Sequence, residues 1–235
     1  NVLREEFSSF TRPQKRIISN YASIKRPEKE VVNTQEVKAQ SSFIMVGFIG
    51  PSIHDKPDIY QVDVMSFLLG LGRGSLIQRE LVKKGKIQDG GVQFLTQRFP
   101  GLISIYGIGK VGNEERIKRE LLSVADSVCQ GKFTERDLRR AKAFLRSNYS
   151  FSEETNAGKA ENLGFYASID DVKFTNRYLE EIEKVTKDEV IAAANKYLSG
   201  GYYCVKLVGQ PPKKTNNVNP ASEETSAPGN YATKR

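Results

Sequence analysis

The order of apolar runs along the chain predicts an α+β fold, a mostly antiparallel sheet with helices packed on one face. Two observations carry this. An uninterrupted apolar run at residues 42–49 reads as a strand, and a second strand-like run returns at residues 202–208, close to the end. Between them lie two helical stretches, a hairpin signal and then a succession of helical patterns. Strands that arrive early and return last place the intervening helices together as one layer.

Each element has its own local reason. Residues 1–40 read as an interdomain arm of mixed charge, interrupted by Pro13 and Pro27. Within it, Arg16-Ile17-Ile18 and Val31-Val32 suit short strands or a connecting arm. The run from Ser42 to Ile49 is continuously apolar and ends at Gly50-Pro51, which favours a strand buried on both faces. Residues 58–71 carry Ile59, Val62, Met65, Ser66 and Leu69 on one helical stripe, broadened by Val64, Phe67 and Leu68, so this helix is expected to be central and buried. Gly70-Leu71-Gly72-Arg73-Gly74-Ser75 breaks it, and a second helix is expected over residues 76–84. Gly90-Gly91 then punctuates the chain before strands at 92–99 and 102–108, joined at Pro100-Gly101.

The rest is helical until near the end. Asn113 is placed to cap a helix carrying Ile117, Leu121, Val124 and Val128. Thr134-Glu135-Arg136-Asp137 resembles a capping box, in which the Thr hydroxyl and the acid three residues on satisfy each other's orphan amides. It opens a helix with Leu138, Ala141 and Leu145. A further helix is expected over 159–168, and another is marked by Tyr178, Leu179, Ile182 and Val185. Thr186 and Glu189 form a second capping box, opening a last helix through Leu198. Gly200-Gly201 ends it before the final strand. From Gln210 the Pro/Lys/Asn/Ser/Thr mixture cannot bury enough apolar surface to order itself. The expected organisation is therefore an arm at 1–40, a folded domain at 41–209 and a disordered tail at 210–235.

The chain has 235 residues and a formal charge of +8, which invites a nucleic-acid reading. Basic residues cluster at Lys132, Arg136, Arg139, Arg140, Lys142 and Arg146, and again at Arg12, Lys15, Arg16, Lys25 and Arg26. No aromatic platform or reading helix accompanies them, so solvated helix faces are favoured over a nucleic-acid partner. No apolar run approaches the ~20 residues that cross a bilayer. The start at Asn1, without a leader, is expected for a chain whose targeting segment was removed or which belongs to a longer parent. Cys129 and Cys204 form no CxxC pair and read as ordinary buried thiols.

Two stretches carry a family resemblance. The first runs from Asp58-Ile59-Tyr60 through Leu68-Leu69-Gly70-Leu71-Gly72-Arg73-Gly74-Ser75-Leu76 to Glu80-Leu81. The second runs from Thr134 and the Asp137-Leu138…Ala141-Lys142 helix, through Leu163-Gly164 and Tyr178-Leu179…Ile182…Val185-Thr186, to Ala194…Lys196-Tyr197-Leu198 and Val208-Gly209. In this order and spacing they resemble the pitrilysin/insulinase zinc peptidases, mitochondrial processing peptidase among them, over roughly residues 40 to 209. The resemblance implies a processing-peptidase-like αβ sandwich that occurs in tandem copies. One copy carries His-x-x-Glu-His, whose two histidines bind zinc while the Glu activates water; the next closes over the substrate.

This chain has a single histidine, His54, in a loop before the buried helix. A two-imidazole zinc site cannot be built from it, and a ligand set of His54, Cys129, Cys204 and a carboxylate is much less natural than a surface histidine. Active relatives also contribute an Arg and, seven residues later, a Tyr from the non-zinc domain. Here Val82 occupies the Arg position and Gln88 or Asp89 the Tyr position; Arg79, one helical turn earlier, is the remaining candidate to reach inward. No catalytic residue and no metal ligand is therefore assigned.

Gly70, Gly72 and Gly74 lack the preceding strand, the GxGxxG spacing and the Walker Lys of a phosphate loop, and read as a tight helix–helix turn. In the non-catalytic processing-peptidase subunit a glycine-rich loop at this place contacts substrate peptide, so the resemblance makes Gly70, Gly72, Arg73, Gly74 and Arg79 candidate substrate-contacting residues. The function implied is the non-catalytic half of a zinc-dependent endopeptidase assembly. It walls a chamber for unfolded peptides beside a zinc-bearing domain or subunit with His-x-x-Glu-His, which holds the zinc. The alternative is a structural scaffold subunit, as in the core subunits of the respiratory bc1 complex. Substrate, oligomeric state and compartment are left open.

Overall fold

The computed structural model describes residues 2–9, 24–169 and 172–210. The expected disorder of the tail beyond Gln210, and the expectations on Arg12, Lys15 and Arg16-Ile17-Ile18, lie outside the described residues. A short helix α1 (Val2–Glu6) precedes a five-stranded sheet formed by β1 (Val31–Val37), β2 (Ser41–Ile49), β3 (Asp89–Phe94), β4 (Leu102–Lys110) and β5 (Tyr203–Gly209), in the order β1-β5-β2-β4-β3. Every pairing is antiparallel except β1 with β5. The helices are α2 (Asp58–Gly70), α3 (Glu114–Cys129), α4 (Glu135–Ser152), α5 (Asn156–Ile169), α6 (Lys173–Lys184) and α7 (Lys187–Tyr197). The predicted class, a mostly antiparallel sheet carrying a helical layer, is the one observed.

The apolar run became β2, the centre of the sheet. Its burial differs from expectation. Ile44, Val46 and Phe48 are fully buried beneath the helices, whereas Phe43, Met45 and Ile49 on the other face are only half-buried. The period-two alternation of a strand sends successive side chains to opposite faces, and among the described residues the helical layer covers one of them. Val31-Val32, open between strand and arm in the sequence, pairs in parallel with Tyr203-Cys204. The Val31 N–H donates to Tyr202 O at 2.9 Å at one end of that ladder, and Gln210 N–H to Val37 O at 2.8 Å at the other.

The expected hairpin at 92–99 and 102–108 is shifted. The first strand spans Asp89–Phe94, with Gly90-Gly91 inside it, and residues 95–101 form a longer connection. That connection is held by Ile53 N–H to Gln97 O and Gly50 N–H to Gly101 O, both 2.8 Å. Gly90-Gly91 are thus close-packing positions within the ladder.

Helix α2 is buried nearly all round, as its broad apolar stripe predicts: Ile59, Val62, Val64, Met65 and Leu69 have no exposed surface. Each such side chain contributes about 1.5–3 kcal/mol. Helix α3 lays Ile117, Leu121, Val124 and Val128 on the sheet. Its N-cap position is Asn113, but the Asn113 side chain makes no cap bond; instead Glu114 Oε1 accepts from Gly112 N–H at 2.9 Å and from Ser42 Oγ at 2.5 Å. Both capping boxes form. Asp137 N–H donates to Thr134 Oγ1 and Thr134 N–H to Asp137 Oδ2; Thr186 and Glu189 repeat the exchange on α7. The helix expected over 76–84 is a short turn whose core, Gln78–Val82, is π-helical.

Candidate functional site

The turn from α2 into this π-helical segment is the glycine stretch singled out in the sequence. Gly70 ends α2 where the helix meets β3 most closely: a Cβ there would lie 2.3 Å from Val92 N, so only a hydrogen fits. Gly72 follows with φ +81°, a left-handed conformation that glycine adopts without penalty. Gly72 O accepts from Ser75 N–H at 3.1 Å to close the turn. The loop therefore doubles back over the N-terminal half of α4. A Cβ on Gly72 would come 3.0 Å from the Phe144 ring, and one on Gly74 would come 2.6 Å from Arg140 Cδ.

Between loop and helix opens a groove of about 490 Å³, floored by Phe67, Leu71, Ala141 and Phe144 and edged by Arg73 and Arg140. The Phe67 and Phe144 rings pack tilted at 5.7 Å. Leu71 and Phe144 remain 36% and 45% exposed, so the floor is apolar and open. Arg73 is exposed, and it makes no hydrogen bond or ion pair among the described residues. An open apolar floor with two guanidinium groups at its rim can cover apolar groups below and pair with carbonyl or carboxylate oxygens at its edge.

Arg79 is placed differently from the glycines. Its Nη1 donates to Asp137 Oδ1 at 2.7 Å and its Nε to Glu80 Oε1 at 2.8 Å. Arg79 ties the π-helical turn to the start of α4 and does not line the apolar floor. Burial works to raise the Asp137 pKa, but the Thr134 backbone N–H, the Thr134 hydroxyl and the Arg79 guanidinium outweigh it and hold it at about 2. Gln88 and Asp89 are structural here: Gln88 Oε1 accepts from Ser41 Oγ at 2.8 Å, and Asp89 Oδ1 from Gly90 N–H at 2.8 Å. Val82 packs half-buried against the core.

Sequence reasoning singled out the loop but not its opposite wall, Asp137, Arg140 and Phe144. A signal was available: their spacing puts all three on one face of α4. The other basic residues of that helix are partly engaged, Lys142 with Glu183 O at 2.7 Å and Arg146 with the Glu183 carboxylate.

His54 is exposed just before α2. Cys129 and Cys204 are free thiols, half-buried and buried, and burial pushes both thiol pKa values up. Among the described residues no three His, Cys, Asp or Glu side chains are grouped to hold a metal ion, and no helix is long and apolar enough to cross a membrane.

Comparison with known proteins agrees with this architecture. The chain is 26% identical over 190 residues to an uncharacterized zinc protease of Rickettsia felis, covering 76% of this chain and 46% of the relative. It is 28% identical over 148 residues to mitochondrial cytochrome b-c1 complex subunit 2 of Mus musculus, covering 58% and 32%. Its fold matches the crystal structure of a protease from Helicobacter pylori with a TM-score of 0.79 at 18% identity, over 87% of this chain and 50% of that one. The chain spans half or less of the length of each. The sequence profile of the peptidase M16 inactive domain matches residues 1–145, and the chain accordingly belongs to the peptidase M16 inactive-domain family.

Proposed function

We propose that this chain is the non-catalytic half of a zinc-dependent endopeptidase assembly. It walls the peptide chamber and supports a zinc-bearing domain or subunit that carries His-x-x-Glu-His. The observation that carries this reading is the match to an inactive peptidase domain in a chain with one histidine. Zinc belongs to the partner in this reading, because two imidazoles must converge on the metal and this chain has one. The glycine-loop groove is the surface offered to unfolded peptide, with Gly70, Gly72 and Gly74 letting backbone approach closely and Arg73 and Arg140 supplying charge. Arg79 acts indirectly, by holding Asp137 and thereby the groove's α4 wall.

The test is a peptidase assay on the chain alone and with the His-x-x-Glu-His protein that co-purifies with it. No chelator-sensitive cleavage is expected alone, and cleavage is expected once the partner is added. Chelator-sensitive activity from the isolated chain would overturn the assignment. A second reading, a scaffold subunit without proteolytic role, is favoured by the similarity to cytochrome b-c1 complex subunit 2. Co-purification with a membrane complex in place of a zinc-motif protein would select it.

A further inference from the structure

A second pocket shares Phe67 with the groove, and its chemistry differs from that of the groove. It is open to solvent, has a volume of about 200 Å³ and is lined by α2, α4, α5, α6, the end of β3 and the residues after it; Asn148 and Ser152 on its wall are exposed. Asp63 of α2 stands in its wall. Tyr178 OH donates to Asp63 Oδ2 at 2.7 Å. Among the described residues no lysine, arginine or histidine forms an ion pair with this carboxylate.

Around Asp63 the wall is aromatic. The Tyr149 and Tyr178 rings lie 4.9 Å apart, and the Tyr166 ring meets Phe165 edge-on at 5.3 Å and stacks on Phe174 at 4.6 Å. The same aromatic group already draws in one cation on its outer side, where the Lys56 ammonium sits 5.4 Å from the Phe174 ring centroid. Tyr149, Tyr166 and Tyr178 are kept neutral: burial pushes each phenol pKa up, and the negative charge of Asp63 adds to this at Tyr166 and Tyr178 and that of Glu153 at Tyr149. Once Asp63 is ionised, the pocket presents its carboxylate among neutral π faces, with the Glu153 carboxylate beside Tyr149 adding negative charge, the complement of a positive charge.

We propose that this cavity binds one organic cation, an alkylammonium or guanidinium head of the size carried by lysine and arginine side chains. The volume decides the class: it is below the ~300 Å³ at which drug-sized pockets begin, yet ample for one such head and its stem. Asn148 at the wall offers its amide oxygen to a remaining N–H group. The proposal does not depend on the peptidase reading. Burial raises the Asp63 carboxyl to about 7, against the lowering effect of the Tyr178 hydroxyl, and these are the influences acting on it. A cation entering the cage displaces the proton on Asp63, so binding strengthens as pH rises from about 6 to 8.

The experiment is a chemical-shift titration of the 235-residue chain at pH 8 with propylammonium, propylguanidinium, a capped Gly-Gly-Lys-Gly-Gly peptide and, as neutral control, acetyl-norleucine amide. Saturable shifts around Tyr149, Tyr166 and Tyr178 are expected with the cations and not with the norleucine amide. Tighter binding of the peptide than of propylammonium identifies a polypeptide side chain as the occupant; equal binding identifies a free amine or guanidine. Asp63→Asn retains an acceptor for Tyr178 and is expected to weaken binding on the order of tenfold or more. Tyr166→Leu, which keeps the carboxylate and removes one π face, provides the independent variant. Absence of saturable shifts, equal response to norleucine amide, or cation binding unchanged in both variants overturns the proposal.

Discussion

Arg79 and Asp137, 58 residues apart in sequence, meet at 2.7 Å, and the same Asp137 caps its own helix through Thr134. One carboxylate thus joins a local helix start to the turn that follows the glycine loop. The two halves of this arrangement differ in strength. Asp137 is 8% exposed while the Arg79 side chain is 38% exposed, so solvent screens the ion pair more than the cap. Asp137→Ala is expected to cost about 2 kcal/mol through the lost capping box and the orphaned buried amide. Arg79→Ala is expected to cost about 0.5–1 kcal/mol. Urea denaturation of both variants gives the comparison, and equal losses would contradict it.

Acid should act on Asp137. Its folded pKa of about 2 lies below the ~3.9 of an unfolded aspartate. Its contribution to stability is therefore complete above about pH 4 and is lost as pH falls from there through 2. Melting temperatures of wild type and Asp137→Asn should converge over that window and stay apart at neutral pH.

Asp63 carries the opposite sign. Its folded pKa of about 7 lies above the unfolded value, so the folded state holds the proton more tightly and loses stability as pH rises from about 4 to 7. Asp63→Asn is expected to be near-neutral at pH 4 and stabilising at pH 8, on the order of 1–3 kcal/mol. Destabilisation at pH 8 by thermal melting would count against the burial argument.

Two glycine-to-alanine substitutions should separate close packing from helix propensity. Gly70→Ala forces a Cβ to within 2.3 Å of Val92 N, and the expected loss is about 3 kcal/mol or failure to fold. Gly164, in α5, has nothing within 4 Å of its Cβ position, and Gly164→Ala should stabilise by about 0.5–1 kcal/mol.

The groove can be tested without disturbing the fold. Arg73 is exposed, so Arg73→Glu should leave stability within about 0.5 kcal/mol. Crosslinking of an extended peptide to this face in the proposed peptidase assembly should nonetheless drop severalfold. Unchanged crosslinking would remove the loop from the peptide path.

The sequence made the helices legible where the reasons are local. Thr134 with Asp137 and Thr186 with Glu189 announced two helix starts within four residues each. The width of the apolar stripe from Ile59 to Leu69 announced a central helix. Reading was less sure where the same residue type serves two ends: Gly90-Gly91 resembled a break but lies inside β3, because glycine also marks strands pressed against a neighbour. Asn113 had a capping residue's identity and position, yet Glu114 supplies the hydrogen bonds.

From sequence alone, one histidine excludes a two-imidazole zinc site within this chain, since no folding can supply a missing ligand. Sequence alone also set the α+β class, through the period and order of its apolar runs. Tertiary structure decided which distant residues became neighbours. It set β1 beside β5 in parallel, brought Phe144 against Gly72 to form a groove, and gathered Asp63, Tyr149, Tyr166 and Tyr178 from four helices around one pocket. The reason is that period, capping and turn chemistry act within a few residues. Long-range pairings are instead selected by how whole elements bury their apolar faces together.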